Sequence, residues 1–120
     1  MTERLFNIDE LVCDEGKTSR EVIFQSTIHE INLWRVTPGG WVYPHTHPNN
    51  DDIWHLIQGT GEYYLSSNET RIIKPGDIAV AAPGDVHGVF NSGSVDIIVY
   101  SVLSPLPVEM ESVPGFDYPV

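Results

Sequence analysis

The sequence predicts an all-β chain folded as a sandwich or barrel. Short runs rich in β-branched and aromatic residues recur along its length, and turn-forming residues punctuate them regularly. No long window keeps the 3.6-residue apolar period of a helix.

Taken in order, helix is confined to about one turn near Asn7 to Val12. Strand signals follow at Glu21 to Ser26 and Glu30 to Thr37, ending at the turn Pro38-Gly39-Gly40. Asp52 to Ile57 and Glu62 to Ser66 flank Gly59-Thr60-Gly61, and Ser67-Asn68 closes the second of them. Asp77 to Ala82, His87 to Asn91 and Asp96 to Val102 are set off by Pro75-Gly76, Pro83-Gly84 and Ser92-Gly93. The last stretch, from Ser104, holds Pro105, Pro107, Pro114 and Pro119 among several acids, which predicts an extended tail packed on the barrel or on a neighbouring subunit. No linker or repeat divides the chain, so residues 1–120 read as one domain with its core barrel at about 20–104 and the tail at 105–120.

Composition bounds the function. Six basic against seventeen acidic side chains give a net charge of −11, which disfavours nucleic acid and anionic membrane as partners. No apolar run approaches a membrane span and no secretory leader is evident, so a cytoplasmic location is expected. Cys13, the single cysteine, agrees with a reducing compartment and offers no partner for covalent catalysis.

The chemistry concentrates elsewhere. In His45-Thr46-His47 the imidazoles are one residue apart, and on a strand they project from the same face. Asp52 beyond a tight turn can close toward them, and the remote His87 can complete a cage. Three nitrogens and one oxygen suit one divalent transition metal: iron, manganese, zinc, nickel or cobalt. His-x-His by itself also describes two exposed loop histidines, so the surrounding frame matters.

That frame is Gly39, His45, His47, Asp52 and Gly59, followed by Gly76, Gly84, His87 and Asn91. The two blocks resemble the paired motifs of the cupin superfamily, in particular small single-domain cupins. The resemblance implies a cupin-type double-stranded β-helix (a jelly-roll barrel), a metal held by His45, His47, Asp52 and His87, and a homodimer. Two positions depart from the pattern: Asp52 stands where the family usually has Glu, and Ala82 replaces the first proline of the second block. The shorter acid either needs a tighter turn at Pro48 to Asp51 or binds through water, leaving a three-histidine site.

Alternation from an inward Asp52 places Trp54 and Leu56 on the metal face and Ile53, His55 and Ile57 opposite. From an inward His87, Val89 and Asn91 follow. Trp54, Leu56 and Val89 are therefore pocket candidates, and Tyr43 is expected at the mouth because it precedes His45 by two residues. Arg35 lies in a run whose phase is open. Inward, it would clamp a carboxylate or phosphate; outward, the favoured reading, it is a surface cation. His29 and His55 receive no role. Apolar residues on both strand faces suggest that the outer face packs on something, a partner subunit being the simplest choice.

The expected function is a metal-dependent enzyme acting on a small organic molecule. An oxygenase is preferred because few cationic clamps are evident and Trp54 adjoins the acid. A redox-neutral lyase, isomerase or cyclase, a non-catalytic binding module, and a metal-free site in which the histidines act as acid or base are the alternatives.

Overall fold

The computed structural model describes residues 4–11 and 16–116. A 3-10 turn, Ile8–Glu10, is capped by the Asn7 side chain, which accepts from the Asp9 amide. This is where helix is expected, although Val12, like Cys13, lies outside the described residues. Ten strands follow among the described residues: β1 Ser19–Gln25, β2 Glu30–Val36, β3 Trp41–Thr46, β4 Asp51–Gln58, β5 Gly61–Ser66, β6 Glu69–Ile73, β7 Ile78–Ala81, β8 Val86–Phe90, β9 Ile97–Ser104 and β10 Glu111–Ser112. They form two five-stranded sheets ordered β1-β2-β9-β4-β7 and β10-β3-β8-β5-β6, with every pairing antiparallel. The all-β double-stranded β-helix is the architecture observed.

Between the sheets Val36, Val42, Trp54, Leu56, Tyr63, Ile73, Val89, Ile97 and Val99 form the main core. The register fixes what surrounds the site, because residues two apart on a strand share a face and paired residues sit side by side across it. On the inner face of the first sheet, Glu30, Leu103, Asp52 and Ala81 make one cross-strand row. Asn32, Ser101, Trp54 and Ala79 make the next. Arg20, Trp34, Val99 and Leu56 make the third.

The opposite face of that sheet explains the apolar residues on both faces of β2 and β9. Leu33 and Ile98 are buried there under Ile8, Leu11, Ile23 and Tyr100, so the chain's own N-terminal segment covers part of the face. Farther along, Ile53, Ile78 and Val80 remain exposed.

Strands β3, β6 and β10 lie outside the runs the sequence marks. β10 pairs with β3, Glu111 opposite Thr46 and Ser112 opposite His45, so the tail is tied to the barrel beside the histidines. Strand β3 carries a bulge: Val42 pairs with Val89, but His45 pairs with His87, one residue out of step. Gly88 sits against this bulge, and a Cβ there would lie 2.7 Å from both the Val42 carbonyl oxygen and the Pro44 nitrogen. The strand pair can approach this closely only at a residue without a side chain.

Candidate metal centre and its cavity

The bulge turns His45 inward after an inward Val42, and His47 follows just past the end of β3; both are buried. Asp52 enters from β4 and His87 from β8, each also buried. The potential ligand atoms of all four lie within 4.8 Å of one another. The shorter acid reaches the group: Asp52 Oδ2 is 2.8 Å from His87 Nε2 and 3.4 Å from His47 Nε2.

Backbone carbonyls set the ring orientations. His45 Nδ1 lies 2.6 Å from the Tyr43 oxygen, and His47 Nδ1 lies 2.6 Å from the Glu109 oxygen. A carbonyl only accepts, so each Nδ1 carries the proton and Nε2 becomes the ligating nitrogen. His87 has no such brace: its Nδ1 is buried without a partner.

Charge states agree with a ligand set. Burial, helped by the neighbouring His87, lowers the His45 pKa to about 3, so this ring is neutral near pH 7. Burial pushes the Asp52 carboxyl up, but the His47 and His87 rings packed against its Oδ2 outweigh it and hold the pKa at about 2. Asp52 Oδ1 is buried with no hydrogen-bond partner, and a cation at the centre would satisfy that lone pair. Neutral imidazole and ionised carboxylate are the forms that bind metal, and these residues fit a divalent transition ion.

A cavity of about 350 Å³ opens beside the cluster, with His45, His47 and Asp52 in its lining. That volume suits a small molecule. β4 adds Trp54, β9 adds Leu103, and Val108 and Met110 line it from the tail. β1 and β2 supply Arg20, Asn32 and Trp34.

The cupin domain family matches residues 32–103, a stretch that contains all four residues of the cluster. This chain belongs to that family. Among solved structures it resembles a conserved protein with a double-stranded β-helix domain from Klebsiella pneumoniae, at 33% identity and a TM-score of 0.84, covering 92% of this chain and 96% of that one. It also resembles KdgF from a Halomonas species, at 26% identity and a TM-score of 0.71, covering 85% and 94%. Germin-like protein subfamily 1 member 16 of Arabidopsis thaliana is 34% identical over 83 residues, covering 62% of this cupin and 37% of that protein. The chain thus spans little more than a third of the length of that germin-like relative.

Other sequence expectations fare differently in this cupin. Trp54 lines the cavity, while Leu56 and Val89 lie in the core outside its lining. The Tyr43 side chain does not reach the cavity lining and stacks on Trp41, ring centroids 5.4 Å apart. The bulge breaks the alternation that would have paired it with His45, and its carbonyl contributes instead. Arg35 is not a pocket residue either. It pairs with Ile98 on the outer face and binds Asp96 at 2.6 Å.

Sequence reasoning missed Leu103, Val108 and Met110 in the lining, and also Arg20, Asn32 and Trp34. The inward phase of β2 was the signal that would have found the last three, since Trp34 and Asn32 alternate with Arg35 and Leu33. Arg20 follows, being paired with Trp34, and its guanidinium carbon lies 5.9 Å from the Trp34 ring centroid. Among the described residues no helix is long and apolar enough to cross a membrane.

Proposed function

We propose that this cupin is a metal-dependent enzyme acting on a small organic molecule. The observation that carries the reading is the convergence of carbonyl-braced imidazoles and an ionised carboxylate at the edge of a cavity of about 350 Å³. A site built only to hold an ion needs no such space beside its ligands. When bound, a divalent transition ion there supplies Lewis-acid or redox chemistry. The residues do the rest: His45, His47, His87 and Asp52 would hold the ion, Trp54, Leu103, Val108 and Met110 give the cavity an apolar wall, and Arg20 adds a cation.

Arg20 bears on the reaction class. An oxygenase keeps the support of Trp54 beside the acid, but the scarcity of cationic clamps no longer counts for it. A redox-neutral lyase, isomerase or cyclase stands level with it, because a guanidinium at the cavity can anchor an anionic substrate of either enzyme. Turnover of a panel of enols, catechols and keto acids, followed together with oxygen uptake, tests both. Metal-dependent turnover with oxygen consumption supports the oxygenase, and turnover without it the redox-neutral enzyme. Binding without turnover by fully loaded protein overturns the proposal in favour of a binding module.

A homodimer in the cytoplasm belongs to the same proposal. Its structural support is the exposed apolar face at Ile53, Ile78 and Val80, and light scattering showing a monomer would remove it.

A further inference from the structure

The cavity beside the metal cluster has two unlike ends. His45, His47 and Asp52 sit at its buried end. Arg20 and Met110 are exposed and mark its open end. The register separates the two. Arg20 pairs with Trp34, Trp34 with Val99 and Val99 with Leu56, which lies four residues past Asp52 on the same face. At about 3.4 Å per residue and about 4.8 Å per strand, Arg20 stands on the order of 20 Å from Asp52 between Cα positions. Side chains close part of that gap, the Arg20 guanidinium carbon lying 5.9 Å from the Trp34 ring centroid. A ligand that touches both ends is therefore elongated.

The wall between the ends is apolar, supplied by Trp34, Trp54, Leu103, Val108 and Met110. The polar atoms of that stretch are closed to a ligand. Asn32 Oδ1 and Trp54 Nε1 are fully buried, and Asn32 Nδ2 donates to Glu30 Oε2 at 3.1 Å. A ligand hydroxyl placed along this wall gives up water and gains no side-chain partner among the described lining residues, which weakens binding. A hydrocarbon segment loses nothing there and gains the burial of its own surface.

Charge distinguishes the open end. Arg20 is the one Lys or Arg among the described lining residues, in a chain of net charge −11. Its fork matches a carboxylate bidentately, and the cation–π contact with Trp34 holds it at the rim. A carboxylate bound at the rim keeps part of its hydration and avoids the cost of burying a charge.

We propose that the cavity takes an elongated, largely apolar acid, its carboxylate on Arg20 at the rim and an oxygen-bearing end toward the metal cluster. Arg20 is then a specificity-determining residue, and polyhydroxylated acids are poor ligands. This inference rests on the reading of the same site as that of a metal-dependent small-molecule enzyme.

The probes are 4-hydroxycinnamate, its uncharged amide, and gluconate (an acid with hydroxyls along its chain). Dissociation constants are measured by ligand-observed NMR on zinc-loaded and metal-free protein. 4-Hydroxycinnamate is expected to bind about fivefold more tightly than the amide, the upper range for an exposed ion pair. It should bind about tenfold more tightly than gluconate, whose hydroxyls go unpaired. Arg20→Gln should abolish the preference for acid over amide, and Arg20→Lys should keep part of it. Circular dichroism confirms folding, and the exposed Arg20 has no part in the core. An unchanged preference for acid over amide in folded Arg20→Gln overturns the proposal. So does gluconate binding as tightly as 4-hydroxycinnamate, or no measurable binding of 4-hydroxycinnamate. Metal content and turnover on the same samples separate the two readings. An Arg20-dependent preference in protein that takes up no metal supports the rim site and refutes the metal-dependent enzyme. Metal-dependent turnover of the enol, catechol and keto acid panel, unaltered in Arg20→Gln, keeps the enzyme and refutes the rim site.

Discussion

Replacing Asn50, which contacts no ligand atom, is expected to weaken metal binding. Asn50 is 1% exposed and ties the tail to the barrel. Its Nδ2 donates to the carbonyls of Pro105 and Pro107, and its Oδ1 accepts from the Glu109 amide at 3.0 Å. The same Glu109 presents its carbonyl to His47 Nδ1. Asn50→Ala removes three hydrogen bonds, each with a net worth of about 1 kcal/mol, so the attachment of the tail weakens by about 3 kcal/mol. His47 then loses a fixed acceptor, and loss of such outer partners lowers metal affinity by about 10–100-fold. Asn50→Asp should not rescue, since it sets an oxygen against two carbonyls in place of the donor. Chelator competition gives the affinity, and hydrogen exchange at the Glu109 and Glu111 amides reports the tail. Metal affinity within twofold of wild type in Asn50→Ala, with faster exchange in the tail, would refute the claim that the tail orients His47.

Two further outcomes are expected. Gly88→Ala should destabilise the protein by about 1–3 kcal/mol and weaken metal binding, because the new methyl would meet the β3 backbone at the bulge that aims His45; urea denaturation and chelator competition check this, and wild-type values for both would contradict it. The metal-free protein should lose stability on acidification. Below about pH 6.5 the unfolded chain protonates His45 while the folded chain resists until about pH 3, so its contribution falls by up to about 1.4 kcal/mol per pH unit. Asp52, with its pKa lowered from 3.8 to about 2, stabilises above that range and loses its contribution as pH falls through it. Denaturation of wild type and His45→Gln between pH 7 and pH 4.5 isolates the histidine, whose variant should show the shallower slope; identical slopes would contradict the assignment.

How much of this was legible follows from what alternation can and cannot carry. Asp52, Trp54 and Leu56 face inward, and Ile53 and His55 outward, because β4 pairs regularly over those positions. His45, His47, Asp52 and His87 stood out by residue type and spacing, and the fold brings them together. Tyr43 failed where a bulge, set by the close approach of Gly88, changed the phase within β3. β6 was hidden because Glu69, Thr70, Arg71 and Ile72 are all exposed on an edge strand, so only its last residue, Ile73, reaches the core and no alternation is visible. Arg20 and Asn32 reach the cavity through pairings among β1, β2 and β9, which join residues far apart in sequence. The brace from Glu109 to His47 depends on where a proline-rich tail docks, and no local pattern encodes that.

The most direct test of the central claim is the metal content of untagged protein purified without chelator, set beside His87→Ala. His87 is 1% exposed and touches Asp52 through Nε2 at 2.8 Å, so its removal takes one donor from the centre of the cluster. Near-stoichiometric iron, manganese, zinc, nickel or cobalt in the wild type, lost in a folded His87→Ala protein, is the predicted result. A wild type that takes up none of these ions on reconstitution, or a variant that retains its ion in full, would contradict the account.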